Sequence, residues 1–337
     1  MNNISKLDGK VSIIIPAYNV GKYLNACLNS ICAQTYQNYE IIVAYDEKSS
    51  DNTLEILKSF SENHLITIDV GIDKGSGDAR NRGFRLSTGE FVVFVDGDDE
   101  ITPDYLSSMM EVFHQHPEFN VVLCNYIRVN EEEVELGKKT AAISLNKITC
   151  YTREEMLYKK LWHEVSSAPW SYLVRRSFLL DNQITFPPYS HADDSFYTYK
   201  LVDKQEYVGY CSKILYIFIQ HETSITHVLP DYWWRKYEPY VKDMIEYFSE
   251  HDPKFASDFK KNMCRVAAYM SARRLSYNDF ISEIERYGIK KLNKLSRNDR
   301  LSVILSVAIF NLSRRLYYLL VKNTDIVMAK IWPLTQR

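Results

Sequence analysis

VSIIIPAYNVGKYLNACLNSICAQTYQNYEIIVAYD, residues 11–46, is the stretch that decides the fold. Val11–Ile15 is a short β-branched run closed by Pro16, which reads as a buried strand. Asn19 is placed to cap the helix that follows, where Tyr23, Leu24, Cys27, Leu28, Ile31 and Cys32 recur at three- and four-residue steps. Ile41–Tyr45 reads as a second strand. Working outward, Asp51 caps a second helix carrying Leu54, Ile56, Leu57 and Phe60, and Leu65–Val70 is a third strand. A glycine-bearing loop then opens a helix near Ser76–Ser87, and Phe91–Val95 is a fourth, wholly apolar strand. Strand and helix alternate throughout Val11–Val95, which predicts an α/β unit with a parallel sheet covered by helices.

Beyond residue 100 the pattern loosens. Pro103–His116 and Asp194–Val202 read as helices, Val121–Ile127 and Ile214–Ile219 as strands, and Asn130–Lys147 as a polar insertion. From Asp231 onward the pattern is helical. A soft boundary near residue 228 is expected, giving a domain over 1–228 and a helical region over 229–337. The 337 residues are 46% hydrophobic and 25% charged with a formal net charge of −2, so no global basic field points to nucleic acid. Met1–Lys10 is polar and unlike a signal peptide, which predicts a cytoplasmic chain. Six cysteines lack C-x-x-C spacing, so neither a zinc site nor a disulfide framework is expected.

Ligands of open parallel sheets sit at the carboxyl ends of the strands. There this sequence places Pro16-Ala17-Tyr18-Asn19, Asp46-Glu47 and Asp96-Gly97-Asp98-Asp99. Three carboxylates within four residues repel one another unless a cation neutralises them, and hard divalent cations such as Mg²⁺ or Mn²⁺ prefer carboxylate oxygen. Such an ion stabilises charge developing on a departing diphosphate. The alternative is an acidic helix N-terminus, since Glu100 and Asp104 follow closely. Gly75-Ser76-Gly77-Asp78-Ala79-Arg80-Asn81 is no dinucleotide fingerprint, because Arg80 occupies the third glycine's place. It reads as a loop opening a helix, with Gly75 giving freedom and Arg80 set to meet phosphate or sugar hydroxyls.

Together these segments resemble the family-2 glycosyltransferases. The resemblance rests on residues 11–43, on GSGDARNRG at 75–83, on GEFVVFVDGDDEITPDYL at 89–106, on ADDSFYTYKL at 192–201 and on LYIFIQHETSIT at 215–226. It implies a GT-A fold, Rossmann-like and mostly parallel, with a nucleotide-binding half over about 10–100, an acceptor half over about 101–228 and inversion at the anomeric carbon. Pro16, Ala17, Tyr18 and Asn19 would line the nucleotide, with Asp46 reading the base. Asp96 and Gly97 would hold the ribose side, Asp96 also entering the metal shell with Asp98. Asp194 would take the acceptor proton, with Asp193 where the family usually has glutamate, and Trp170 would be an acceptor-side aromatic. The chain departs from the family after the second strand, where Asp46 and Glu47 compete for the base contact. Ile219 and Gln220 stand where an arginine often precedes His221, leaving His221 as the metal- and diphosphate-side residue of that loop.

The expected reaction is transfer of a sugar from a nucleotide-sugar, taken as a UDP-sugar, to a glycan or lipid-linked glycan in surface-polysaccharide synthesis. Two other readings are a sugar nucleotidyltransferase and a catalytically silent nucleotide-sugar-binding protein. The first lacks its glycine- and arginine-rich loop after the first strand; the second would have lost Asp98 or Asp194. Arg286–Arg337 carries eleven Lys/Arg against two acids, interleaved with apolar Leu301–Leu312 and Leu316–Val321. These runs fall short of the roughly 20 residues that span a bilayer. They suit helices lying on an anionic membrane at its inner face, or a buried helix packing on the catalytic domain or on a second subunit of a homo-oligomer.

Overall fold

The computed structural model describes residues 9–62, 64, 66–132, 135–139, 149–188, 192–221, 233–290 and 301–323. The chain divides into two compact units, Met1–Lys160 with Glu164–Ser224, and Leu161–His163 with Ile225–Arg337. The expected boundary near residue 228 lies outside the described residues, as does most of the polar insertion over 130–147.

The first unit opens with β1 (Val11–Ala17), α1 (Gly21–Cys32), β2 (Tyr39–Asp46), α2 (Thr53–Ser61), β3 (Ile66–Gly71), α3 (Ser76–Leu86) and β4 (Phe91–Phe94). Parallel ladders join β3 to β2, β2 to β1 and β1 to β4. Val11, Ile13, Ile14 and Ile15 have no exposed surface, as a central parallel strand with both faces covered requires. Ile13 and Ile15 join a core with Leu24, Cys27, Leu28 and Ile31 of α1. On the other face Ile14 meets α3 at Gly83, where any Cβ would run into Ile14 Cγ2.

The expected strands and helices form here, with two differences at the end of β1. The strand continues through Pro16, which pairs with Ala44, because the β4 register ends at Ile14 and Phe94. Asn19 does not cap α1. It adopts a left-handed backbone (φ 52°) and its Oδ1 accepts from Ser50 N at 2.8 Å. The cap comes from Asp51, whose Oδ2 accepts from Gly21 N at 2.8 Å while Oδ1 accepts from Thr53 N at 3.1 Å.

The rest of the unit comprises β5 (Glu100–Ile101), α4 (Tyr105–Gln115), β6 (Val121–Asn130), β7 (Glu135–Lys139), β8 (Thr149–Thr152), α5 (Arg153–Leu161), β9 (Tyr172–Arg175), α6 (Arg176–Asp181), α7 (Asp193–Asp203) and β10 (Tyr207–Gln220). The sheet order is β3-β2-β1-β4-β9-β6-β10-β5, with β7 beside β6 and β8 beside β10. β9 runs antiparallel between β4 and β6, and β6 and β10 are parallel. A mostly parallel sheet flanked by helices is therefore the framework, and the carboxyl ends of β1, β2 and β4 open on one edge.

In the second unit, residues 233–290 and 301–323 hold helices and no strand among those described. They are α8 (Glu238–Ser249), α9 (Pro253–Arg274), α10 (Tyr277–Arg286), α11 (Leu301–Leu312) and α12 (Arg314–Asn323). Asp252 caps α9 and Ser276 caps α10 through their side-chain oxygens. Ala268, Tyr269, Phe280, Ile284, Phe310 and Tyr317 build a core of their own.

Candidate active site

The turn after β4 sends its three carboxylates in three directions. Asp96 Oδ1 accepts from Arg80 Nη2 at 2.5 Å. Asp98 Oδ2 lies 3.0 Å from His221 Nε2. Asp99 points inward, where Oδ2 accepts from the Tyr216 hydroxyl at 2.7 Å and Oδ1 from Ile219 N at 2.8 Å. Tyr216 also accepts from Asp96 N at 3.2 Å, so one β10 side chain braces the whole turn. Burial, then Asp98 and Asp96, push the Asp99 carboxyl well above the usual range against these hydrogen bonds. Burial likewise raises Asp96, with Arg80 opposing and Asp98 adding.

Trp170, expected as an acceptor-side aromatic, packs within the core. It is 5% exposed and stacked on Tyr216, with ring centroids 4.0 Å apart and planes 5° apart. Tyr126 meets it edge-on at 4.8 Å. Trp170 is thus the floor beneath the ring that holds the acidic turn.

Arg80, expected to meet phosphate or sugar hydroxyls, stands between two carboxylates. Its side chain is buried, and Nη1 stands 3.9 Å from Asp193 Oδ2 while Nη2 holds Asp96. Burial works against its charge, but Asp96 and Asp193 outweigh that penalty and raise its pKa. Arg80 thus joins the end of β4 to the start of α7. The close approach depends on Gly77, since a Cβ there would lie 2.5 Å from Asp193 Oδ2. Gly75, at φ 137°, makes the turn into α3 that most side chains resist. Two buried atoms beside this bridge, Arg80 Nε and Asp193 Oδ2, lack a hydrogen-bond partner.

Asp194 is partly exposed and accepts from Ser195 N at 2.6 Å. Ala192, just before it, is held left-handed at φ 59°, a strained state for a residue with a side chain. Burial and then Asp193 push the Asp194 carboxyl up to about 6, with Arg80, the Ser195 amide and Lys160 opposing. That is the range in which a carboxylate works as a general base near neutral pH.

At the carboxyl end of β1, Tyr18 is 55% exposed and Gly97 packs over the Pro16 carbonyl, 3.2 Å from where its Cβ would be. Ala17 is buried within the strand. Asp46 is buried and occupied: Oδ1 accepts from Lys48 N at 2.9 Å and Oδ2 from Asp73 N at 3.3 Å. Glu47, next to it, is exposed. Asp46 therefore organises the loops after β2 and β3, and Glu47 is the acid presented to solvent.

Several participants escape a local reading. Tyr23 on α1 stacks on His221 with centroids 4.5 Å apart, and its hydroxyl donates to Glu131 at 2.6 Å. Lys22 also pairs with Glu131. Tyr23 follows helical apolar spacing, so its sequence signal is that of a core residue.

Among the described residues no group of three or more metal-type ligands converges. Asp98 and His221 are the adjacent pair, and Asp98 is 32% exposed. Mg²⁺ and Mn²⁺ commonly take one or two protein ligands and complete their shell with water and substrate phosphates, so this pair fits such an ion.

A family model described as glycosyl transferase family 2 matches residues 12–179. The uncharacterized glycosyltransferase YibD of Escherichia coli K12 is 30% identical over 234 residues, covering 68% of this chain and 65% of YibD. Other relatives of similar identity are covered over a smaller share of their length. E. coli WfgD, a UDP-Glc:α-D-GlcNAc-diphosphoundecaprenol β-1,3-glucosyltransferase, is 29% identical over 189 residues, 56% of this chain and 68% of that protein. In fold, the chain matches residues 1–349 of S. aureus TarS in complex with UDP-GlcNAc. The TM-score is 0.67 at 21% identity, over 93% of this chain and 90% of the other. The motifs at the sheet edge, the fold and these relatives agree: the chain belongs to glycosyltransferase family 2.

Proposed function

We propose that this chain is an inverting, metal-dependent glycosyltransferase that moves a sugar from a UDP-sugar to an acceptor hydroxyl. The observation that carries the reading is the Arg80 bridge. It sets the diphosphate-side turn (Asp96, Asp98) against the first turn of α7 (Asp193, Asp194), the two-sided arrangement an in-line displacement needs. The nucleotide lies along Pro16–Asn19, with Tyr18 offering a ring face and Glu47 or Asp46 meeting the base. Asp98 and His221 would hold a divalent ion, which supplies charge neutralisation on the leaving diphosphate. Asp194 accepts the acceptor's proton as the new bond forms, and Asp193 with Arg80 fixes its turn.

The acceptor is proposed to be a lipid-linked glycan of a surface polymer, a reading supported by WfgD, whose acceptor is a diphosphoundecaprenol conjugate. No described helix is long and apolar enough to cross a membrane. Leu312 (82% exposed), Leu316 and Leu319 are exposed apolar residues interleaved with Arg314, Arg315 and Lys322 along the end of α11 and α12, which supports peripheral attachment to the anionic inner face. Calorimetry of UDP binding to EDTA-treated protein tests the central claim. Tight binding is expected only when Mn²⁺ or Mg²⁺ is restored, and equal affinity without metal overturns it.

A further inference from the structure

Lys160, near the end of α5, has no exposed surface. A lysine is seldom wholly buried, because its charge loses hydration that protein groups must replace. Its Nζ donates to Thr198 Oγ1 at 2.7 Å and lies 3.3 Å from Ser167 Oγ and 3.5 Å from the Ser166 carbonyl. The ring faces of Tyr199 and Tyr172 stand 4.9 and 5.6 Å away. Thr198 is one helical turn beyond Asp194. Its hydroxyl is also within hydrogen-bond reach of the Ser167 carbonyl at 3.0 Å and of the Ser195 carbonyl at 3.2 Å. The ammonium group is thus tied to the first turn of α7 through Thr198 and the Ser195 carbonyl, and on that turn Asp193 is buried while Asp194 is partly exposed.

We infer that Lys160 is a positioning residue for the acceptor-side carboxylate: through Thr198 it fixes the first turn of α7, and its buried charge keeps Asp194 ionised. This rests on the reading of Asp194 as the general base. Among the described residues, the other charged and titratable groups around this turn include Asp193, Tyr197 and Tyr199 on α7 itself, Arg80 on α3, Asp96 after β4 and Tyr172 on β9. Lys159 beside it pairs instead with Glu164 on the outer surface, so the two adjacent lysines have separate tasks. The field of Lys160 opposes the rise of the Asp194 carboxyl, in agreement with this geometry.

The test follows the side-chain carboxyl of Asp194 by ¹³C NMR in aspartate-labelled full-length protein, the signal being assigned by its loss in Asp194→Asn. In Lys160→Met the titration midpoint should move to a higher pH. Thr198→Val, which keeps the ammonium group but removes its tie to the turn, should move it the same way by less. Thr198→Val also serves if Lys160→Met does not fold. A midpoint unchanged in the folded variant overturns the inference, since a residue that only fills space would leave it in place. Hydrolysis of UDP-glucose in Mn²⁺ separates the two claims. If Asp194→Asn hydrolyses at the wild-type rate, the base assignment fails; if it is slowed while Lys160→Met titrates normally, only the role of Lys160 fails.

Discussion

Arg80 Nη2 stands 2.5 Å from Asp96 Oδ1, and the same guanidinium reaches to 3.9 Å from Asp193. A single buried cation therefore belongs to both sides of the cleft. Its removal leaves two carboxylates facing each other without an intervening charge. Breaking a buried pair from one side typically costs about 3–5 kcal/mol. Asp96 keeps some solvent contact, so Arg80→Met should lie toward the lower end, about 3 kcal/mol by urea unfolding. Arg80→Lys should recover little, since one ammonium cannot replace the planar fork that meets both partners.

Asp98→Asn should weaken UDP binding in Mn²⁺ by about 10–100-fold, the range seen when a metal site is impaired, and leave binding in EDTA unaltered. Calorimetry on both variant and wild type in the two buffers measures this.

Asp194→Asn should lower turnover by about 10²–10⁴-fold while UDP still binds. The pH dependence carries its own sign. A carboxyl at about 6 in the fold, against about 3.9 unfolded, keeps its proton in the folded state across that window. Its contribution to stability therefore grows as pH falls from about 6 to about 4. Turnover needs the ionised form and should run the other way, declining below about pH 6. Rate profiles and thermal melts over pH 4–8 should show these opposite slopes for wild type, and Asp194→Asn should lack the contribution of this group to both.

Trp170→Ala opens a large void under Tyr216 and should destabilise by about 3–5 kcal/mol. Trp170→Phe, which keeps a ring in the stack, should retain most of the stability and the acceptor KM. A large rise in acceptor KM with stability intact would restore the ring to the acceptor surface.

Leu316→Asp with Leu319→Asp should abolish flotation with vesicles containing anionic lipid while leaving UDP affinity unchanged. Flotation equal to wild type removes the membrane reading of α12.

The parallel half of the sheet was legible because its signals are local. Val11–Ile15 and Phe91–Val95 announce buried strands by composition, and α1 by the spacing of Leu24, Cys27, Leu28 and Ile31. The details that depend on distant partners were not. Nothing near Gly21 reveals that Asp51, thirty residues on, caps its amide. Asp96, Asp98 and Asp99 look alike as a string, and only β10, α3 and the start of the loop after β10 give each a different partner. The stacking partner of Trp170 lies 46 positions later, so no local signal announces it.

Gly77 carries no side chain, yet Asp193 occupies the space one would fill. The span between α3 and the start of α7 is thus governed by a missing methyl group. A variant lengthened there by one carbon would keep every acid, base and cation of the cleft and still hold them at the wrong separation.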